Sequence, residues 1–359
     1  MNWPKIHSQN PAMQKLYEKV CWNRFFNNPN FVIGIDREYP LIDTLPNGKY
    51  IIHETDSRIK QSAWNVSRYI QNITTRSGWV QPKDHQVDYH LKGNYVAFAT
   101  WFCGNYGHTM HDFMPYLSWL KNEFPKHNFI LHDNSVSKKL IKFVDKDFFK
   151  KVFWLPTNQA IEVSGNLIVS TPDFHPCIMK QKLMFHLISW YKEQFIRTSN
   201  PKNIIYYDRS TGSNHGRILN NQCQKEIIST IKNFILKNKI NAELIIFKGN
   251  KENGEPLSIK EQFDIFSNAH TIIGPHGTGL TNILWCNFSG HTPIKLIEFI
   301  PGDVNHSAHV QSPFNGYHNV FSGLPIDYNC IIYEKKSTNK ETFINIKDLE
   351  SALDFKKKL

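Results

Sequence analysis

The chain has no run of eighteen or more apolar residues, so no segment of it reads as a membrane-spanning helix. Its first fourteen residues are polar and carry Pro4 and Pro11 where a secretory leader needs an apolar core. A soluble cytoplasmic protein is expected, with the secretory-pathway lumen as the alternative for a chain that has lost a leader. C-x-x-C pairs are also missing. Cys21, Cys103, Cys177, Cys223, Cys286 and Cys330 are scattered, which argues against a zinc ribbon or a thioredoxin-like site. In a chain of 359 residues a packed core suffices for folding, so buried free thiols are expected in preference to three disulfides. Neither a G-x-G-x-x-G fingerprint nor a P-loop closed by Lys-Ser/Thr occurs. No repeat of solenoid period is present.

What the chain does have is enough apolar material for packed cores, 40% hydrophobic and 13% aromatic residues, which argues against disorder. Lys and Arg outnumber Asp and Glu 42 to 31, giving a formal charge of +11. That excess suits an anionic partner: a nucleotide, an acidic glycan, a membrane surface or a nucleic acid. The lysines are dispersed in small clusters that read as solvated faces, so charge alone selects none of these. Sequons at Asn65, Asn72, Asn287 and Asn305 are unsurprising in an Asn-rich chain and leave the compartment open.

Length predicts two domains. Residues 1–90 are aromatic-rich pieces between turn residues and give no clear assignment. From Tyr95 strands and helices alternate: strands at 95–100, 128–131, 152–155 and 166–170, helices at 110–122, 137–144 and 179–195. The polar stretch Arg197–Lys202, with Pro201, precedes a second alternating series. It reads as strands at 203–207, 243–247, 271–274 and 294–300 and helices at 224–238, 259–267 and 280–285. The expected organisation is a first domain over 1–197 and a second over 198–359, whose tail packs back on the first. Each is an α/β, Rossmann-like, doubly wound domain with its ligands at the carboxyl ends of the strands, the two facing one cleft.

Three segments carry chemistry. In Thr271-Ile-Ile-Gly-Pro-His-Gly-Thr-Gly-Leu-Thr-Asn282 an apolar strand runs into a tight turn holding His276, Gly277 and Gly279, and a helix opens near Leu280. Free N–H groups and the positive end of the helix would converge there, as a phosphate requires, and the glycines would let the backbone approach it. The plain alternative is a strand-to-helix turn that uses glycine for geometry alone.

Asp208-Arg-Ser-Thr-Gly-Ser-Asn-His-Gly-Arg217 follows another strand, and Arg209 and Arg217 bring guanidinium forks suited to diphosphate oxygens. Solvated loop arginines are the alternative. Glu298 is a lone carboxylate in the apolar strand Leu296-Ile-Glu-Phe-Ile300, placed either to accept bonds from ribose hydroxyls or as ordinary strand alternation.

The third segment is Gly104-Asn-Tyr-Gly-His-Thr-Met-His-Asp-Phe-Met-Pro-Tyr-Leu117. Met110, Phe113, Met114 and Leu117 form a buried helical stripe and leave His111 and Asp112 near the helix start. A His or carboxylate there suits a general base that takes a proton from an attacking hydroxyl. Thr109-Met-His-Asp112 also has the form of a capping box, which would give Asp112 only a structural task. His108, His111 and Asp112 share a helix face and offer ligands for zinc or iron in a metal-dependent hydrolase. Pro115 and the lack of further ligands argue against that. Asp145-Lys-Asp147 has the D-x-D form of a metal–diphosphate site but sits in a charged turn. A non-enzymatic protein that binds anionic polymers would need its basic residues gathered on one face, and here they are spread.

The His111-Asp112-Phe113 helix start with Pro115, the Arg209 to Asn220 loop, and Gly274-Pro-His-Gly-Thr-Gly-Leu-Thr-Asn282 occur in an order that resembles glycosyltransferase family 61. That group includes plant xylosyl- and arabinosyltransferases and animal O-linked N-acetylglucosaminyltransferases. The resemblance spans roughly residues 95 to 300, with the last element the most specific. It implies a GT-B fold, inverting transfer from a nucleotide sugar, usually a UDP-sugar, to a glycan or glycoprotein acceptor, and neither an obligatory metal nor another cofactor. Nucleic acid is not an expected partner. On this resemblance Asp112 corresponds to the catalytic base with His111 beside it. Arg209, Arg217, His276, Gly277, Thr278, Gly279, Leu280 and Asn282 correspond to donor contacts, Glu298 more loosely. The first ninety residues and the tail after Tyr317 match nothing in the family, and the sugar is not specified.

Overall fold

The computed structural model describes residues 5–7, 41–52, 79–80, 87–98, 104–156, 159–171, 181–195, 201–210, 218–288, 292–302, 317, 321, 324–334 and 342–354. The chain divides into two compact units, one formed by Met1–Ile33 with Phe195–Leu359 and the other by Gly34–Gln194.

In chain order the described elements begin with strands β1 (Lys5–His7), β2 (Leu41–Ile52), β3 (Trp79–Val80), β4 (Tyr89–Lys92) and β5 (Tyr95–Phe98). Next come α1 (Tyr106–His108), a π turn (Thr109–Phe113), α2 (Met114–Glu123), β6 (Asn128–His132), α3 (Ser135–Val144), α4 (Lys146–Lys150), β7 (Val152–Leu155), β8 (Ala160–Thr171) and α5 (Gln181–Gln194). The remainder are β9 (Asn203–Tyr207), α6 (Asn221–Lys237), β10 (Glu243–Phe247), α7 (Ile259–Phe266), β11 (Ala269–Pro275), a 3-10 helix (Thr278–Trp285), β12 (Ile294–Gly302), β13 (Ile326–Glu334) and α8 (Ile346–Leu353).

The Gly34–Gln194 unit holds a seven-stranded sheet in the order β3-β2-β8-β5-β6-β7, with β4 also paired to β8. Strands β5 to β8 and β4 are parallel, as the alternation of strands and helices predicts, whereas β2 and β3 add an antiparallel edge from the stretch that sequence left unassigned. Strands β4 and β5 run as one ladder along β8, bent where Gly93 faces Gly165. Gly165 has φ +140° and a side chain there would meet the Gly93 carbonyl, so only glycine fits. On one face, Phe98 stacks on Phe113 and Tyr116 of the helical segment that follows β5. The strand β5 sits between β8 and β6, so the chain reverses its direction of travel across the sheet there.

The other unit holds six parallel strands in the order β1-β13-β12-β11-β9-β10. Its strands β9 to β13 thus have the 2-1-3-4-5 order of flavodoxin-like doubly wound folds, with the switch point between β9 and β11. Such strands are buried on both faces and read as apolar runs, as Asn203–Tyr207 and Ile294–Ile300 do. Ile204, Tyr206, Ile273, Ile297 and Phe299 pack on one face with Cys223, Ile227 and Ile231 of α6 and Leu349 and Leu353 of α8. On the other, Phe266 of α7 meets Phe247, and Phe263 and Phe195 meet Trp285 of the 3-10 helix. The N-terminal strand β1 belongs to this sheet, paired to β13, and α8 closes against its own sheet. The buried Lys295 ammonium holds the α8 end by donating to the Ala352 carbonyl at 2.7 Å.

The abundant asparagines work as helix caps. Asn134, Asn220 and Asn345 accept bonds from the first turns of α3, α6 and α8, and Ser258 with Glu261 forms the reciprocal capping box of α7. Cys223, Cys286 and Cys330, the described cysteines, are all buried. Asn287 of one sequon is buried as well, and the other three sequons lie outside the described residues. Among the described residues no helix is long and apolar enough to cross a membrane.

Candidate functional site

Both units gather polar side chains where the chain leaves a strand beside its switch point. In the Gly34–Gln194 unit that place follows β5. The helix there starts earlier than its apolar stripe predicts: Asn105 is the cap, accepting from His108 N at 3.3 Å. Pro115 disturbs the next turn. It has no N–H to offer, and Met114 N reaches back five residues to the Thr109 carbonyl, forming the π turn between α1 and α2. The Thr109 hydroxyl bonds to the Asn105 carbonyl, so the anticipated Thr109–Asp112 capping box does not form.

Asp112 is instead a buried clamp on two imidazoles. Its Oδ2 lies 2.6 Å from His108 Nδ1 and its Oδ1 lies 2.7 Å from His111 Nδ1. Burial pushes the Asp112 carboxyl up, but the charge of His111 and the bonds from His108 and His111 outweigh it and hold the group below the usual carboxylate range. An ionised carboxylate with both oxygens engaged is a poor proton acceptor. It is well suited to fixing each ring with its proton on Nδ1 and its Nε2 turned away. The His108 side chain is 29% exposed against 6% for His111. The same three residues form a candidate metal cluster, their ligand atoms within 4.8 Å of one another. With both Nδ1 atoms turned onto the carboxylate, those nitrogens are donors and have no lone pair for an ion.

In the other unit the polar groups collect at the carboxyl ends of β9 and β11. The turn after β11 closes over the end of β9. A side chain on Gly274 would come within 2.8 Å of the Tyr207 main chain, one on Gly279 within 2.6 Å of the Tyr207 ring, and one on Gly277 would collide with Arg209 Nη1. The glycines are thus required first by Tyr207 and Arg209, a contact that no reading of the turn alone reveals. Arg209 Nη1 donates to the His276 carbonyl at 2.5 Å, which fixes the guanidinium against the turn. Thr278 is exposed at the start of the 3-10 helix, Gly279 is half-buried beside it, and Gly277, the cap, makes no side-chain bond. Lys248, at the end of β10, lies 3.8 Å from the buried Asp208, adding a cation to this edge that its sequence context does not single out.

The structure brings Arg209, His276, Gly277, Thr278 and Gly279 together at this edge and places the side chains of three other expected donor contacts deeper in the unit. Leu280 is fully buried with the core of the 3-10 helix. Asn282 is fully buried, and its amide donates to Gln262 Oε1 at 3.0 Å, tying the 3-10 helix to α7. Glu298 is fully buried too, with both carboxylate oxygens engaged by protein groups. Its Oε1 lies 2.5 Å from His276 Nδ1, and its Oε2 accepts from Tyr328 Oη at 2.5 Å and Tyr317 N at 2.9 Å. Arg217 lies outside the described residues. Asp145 of the D-x-D segment caps α4, accepting from Phe148 N at 2.8 Å, Trp190 Nε1 at 3.0 Å and Lys121 at 3.2 Å, while Asp147 is exposed beside Lys150.

A family model described as Glycosyltransferase 61 matches residues 106–292, slightly more than half of the chain. The matched stretch begins at α1 and ends just before β12, so it includes both constellations but not Glu298. No curated protein matches the chain.

Proposed function

The chain belongs to the glycosyltransferase 61 family, and from that premise we propose that it transfers a sugar from a UDP-sugar to a hydroxyl of a glycan or glycoprotein, with inversion, in the GT-B manner and without an obligatory metal. The observation that carries the donor assignment is the position of the Arg209–His276 contact. It lies at the carboxyl ends of β9 and β11, the switch point where doubly wound sheets take their nucleotides, beside a helix start. Arg209, with Arg217, supplies cationic forks to the diphosphate. The N–H groups of Thr278 and Gly279 donate to its oxygens, and so does His276 Nε2–H when the ring is an imidazolium with Nδ1–H held by Glu298.

Proton transfer belongs to the His108–Asp112 pair. The acceptor hydroxyl loses its proton to His108 Nε2 as it attacks the anomeric carbon. Asp112 holds the ring and stabilises the imidazolium that forms, and His111 completes the clamp. This assigns Asp112 to orientation and moves the base to the more exposed imidazole. The transferred sugar is of the xylose, arabinose or N-acetylglucosamine type, and the UDP leaving group departs with its charge held at the Arg209 turn.

Thermal-shift titration with UDP, GDP and CMP and their sugar conjugates, with and without EDTA, tests the reading, because a ligand bound to the folded state alone raises its stability. A shift selective for uridine nucleotides and unchanged by EDTA is expected. A shift that needs a divalent ion would reinstate metal chemistry, and none with any nucleotide at millimolar concentration would remove the donor assignment.

A further inference from the structure

We infer that Glu298 is a positioning residue of the donor site, acting through His276. The strand register explains how. Glu298 pairs with Gly274 on β11 on one side and with Cys330 on β13 on the other. Side chains alternate along a strand, so the residues two places from those partners share the Glu298 face: His276 beyond Gly274, and Tyr328 before Cys330. Gly274 has no side chain to intervene, and the carboxylate reaches His276 directly. His276 N still bonds to the Phe299 carbonyl at 2.9 Å, which continues the ladder past the end of β11 and fixes the ring's backbone.

A carboxylate with no solvent exposure is tolerated only when donors surround it, and Glu298 has three, from His276, Tyr328 and Tyr317. With Oε2 already accepting two bonds, Oε1 is the acceptor left for the imidazole, so the His276 proton resides on Nδ1. Nε2 is then the ring nitrogen presented to a ligand, and it donates to a phosphate oxygen when the ring carries its second proton, the form that a carboxylate on Nδ1–H supports. Tyr317 completes the frame. Its ring lies 5.0 Å from the His276 ring, and its hydroxyl donates to the Gly277 carbonyl at 3.0 Å, tying the turn's backbone to the same assembly. Its place in the sequence puts Glu298 on the nucleotide itself. In the folded chain Glu298 stands one residue removed, as the group that sets the tautomer and angle of His276.

This role rests on the reading of His276 as a diphosphate contact, and the experiment separates the two. UDP affinity is measured by calorimetry for wild type, His276→Ala, Glu298→Gln, Tyr328→Phe and the double variant His276→Ala/Glu298→Gln, with donor KM and kcat alongside. The His276 tautomer is read from imidazole nitrogen shifts in the wild-type protein. His276→Ala and Glu298→Gln should each weaken UDP by about tenfold, the loss of one charge-assisted bond, with KM rising more than kcat falls. The double variant should be no weaker than His276→Ala, and Tyr328→Phe should show a smaller loss in the same direction.

Unchanged UDP affinity in His276→Ala overturns the donor reading. A loss in His276→Ala with affinity unchanged in folded Glu298→Gln, or a further loss in the double variant equal to that of Glu298→Gln alone, overturns the positioning inference and leaves the donor reading standing. Where Glu298→Gln does not fold, the tautomer and Tyr328→Phe decide. A ring protonated on Nε2 but not on Nδ1 in the free protein, or unaltered UDP affinity in Tyr328→Phe, counts against it.

Discussion

Arg209 Nη1 donates to the His276 carbonyl at 2.5 Å, and that bond joins the ends of β9 and β11 at the switch point of their sheet. A side chain on Gly277 would collide with the same nitrogen. Gly277→Ala must therefore displace the guanidinium, the movable end of a flexible side chain, at a stability cost of about 1 kcal/mol or less. UDP affinity should fall about as far as in Arg209→Ala. Gly274→Ala meets the Tyr207 main chain instead, which cannot move away, and should cost about 1–3 kcal/mol in denaturant unfolding.

His108→Gln and His111→Gln separate the two imidazoles. The more exposed His108 is the expected proton acceptor, so His108→Gln should lower kcat by about 10²–10⁴-fold with UDP affinity unchanged. His111→Gln should have the smaller effect on kcat. The reverse ranking in single-turnover measurements would assign the base to His111.

Asp112 gives a pH signature. Its folded-state pKa lies below the unfolded value of about 3.9, so its contribution to stability is complete above that value and is lost as pH falls through the folded-state pKa. The difference in unfolding free energy between wild type and Asp112→Asn should shrink below about pH 4, by at most about 1.4 kcal/mol per pH unit. A difference that grew on acidification would mean that the carboxyl is protonated in the folded protein.

Asp145 tests the D-x-D segment. It caps α4 and accepts from Trp190 and Lys121. Asp145→Ala should cost about 1–2 kcal/mol, chiefly through the lost cap, and should leave UDP affinity unchanged with or without a divalent ion. A loss of metal-dependent nucleotide binding in this variant would contradict the assignment.

Asn282 separates motif from contact. Its amide is buried against Gln262, so Asn282→Ala should lower stability by about 1–3 kcal/mol by leaving Gln262 without that donor. UDP affinity in the folded fraction should change much less than in Arg209→Ala. Equal losses would return Asn282 to the donor site.

Strands 203–207, 243–247 and 152–155 coincide with their sequence assignments to the residue, because each is a short run of apolar, mostly β-branched or aromatic residues bounded by polar ones, whether buried as at 203–207 or at a sheet edge as at 243–247 and 152–155. The helix starts were less legible. The stripe from Met110 to Leu117 marks a helix but not its π turn, which arises from the missing N–H of Pro115, a five-residue hydrogen bond that no periodicity reports. Strands β2, β4 and β13 lie in stretches where the sequence gives no assignment, and pairing with β8 and β12, more than local propensity, makes them strands.

The sequence by itself determined the α/β class, the alternation of its elements, the family, and the residue types near each strand end, since these depend on apolar runs, caps and turn glycines close together in the chain. Only the tertiary structure decided what those residues touch. Tyr328 reaches Glu298 from thirty positions away, Arg209 reaches His276 from sixty-seven, and Asp112 turns to two histidines on its own helical segment instead of capping it. A buried charge must find donors wherever strand register brings them, and register is a property of the assembled sheet.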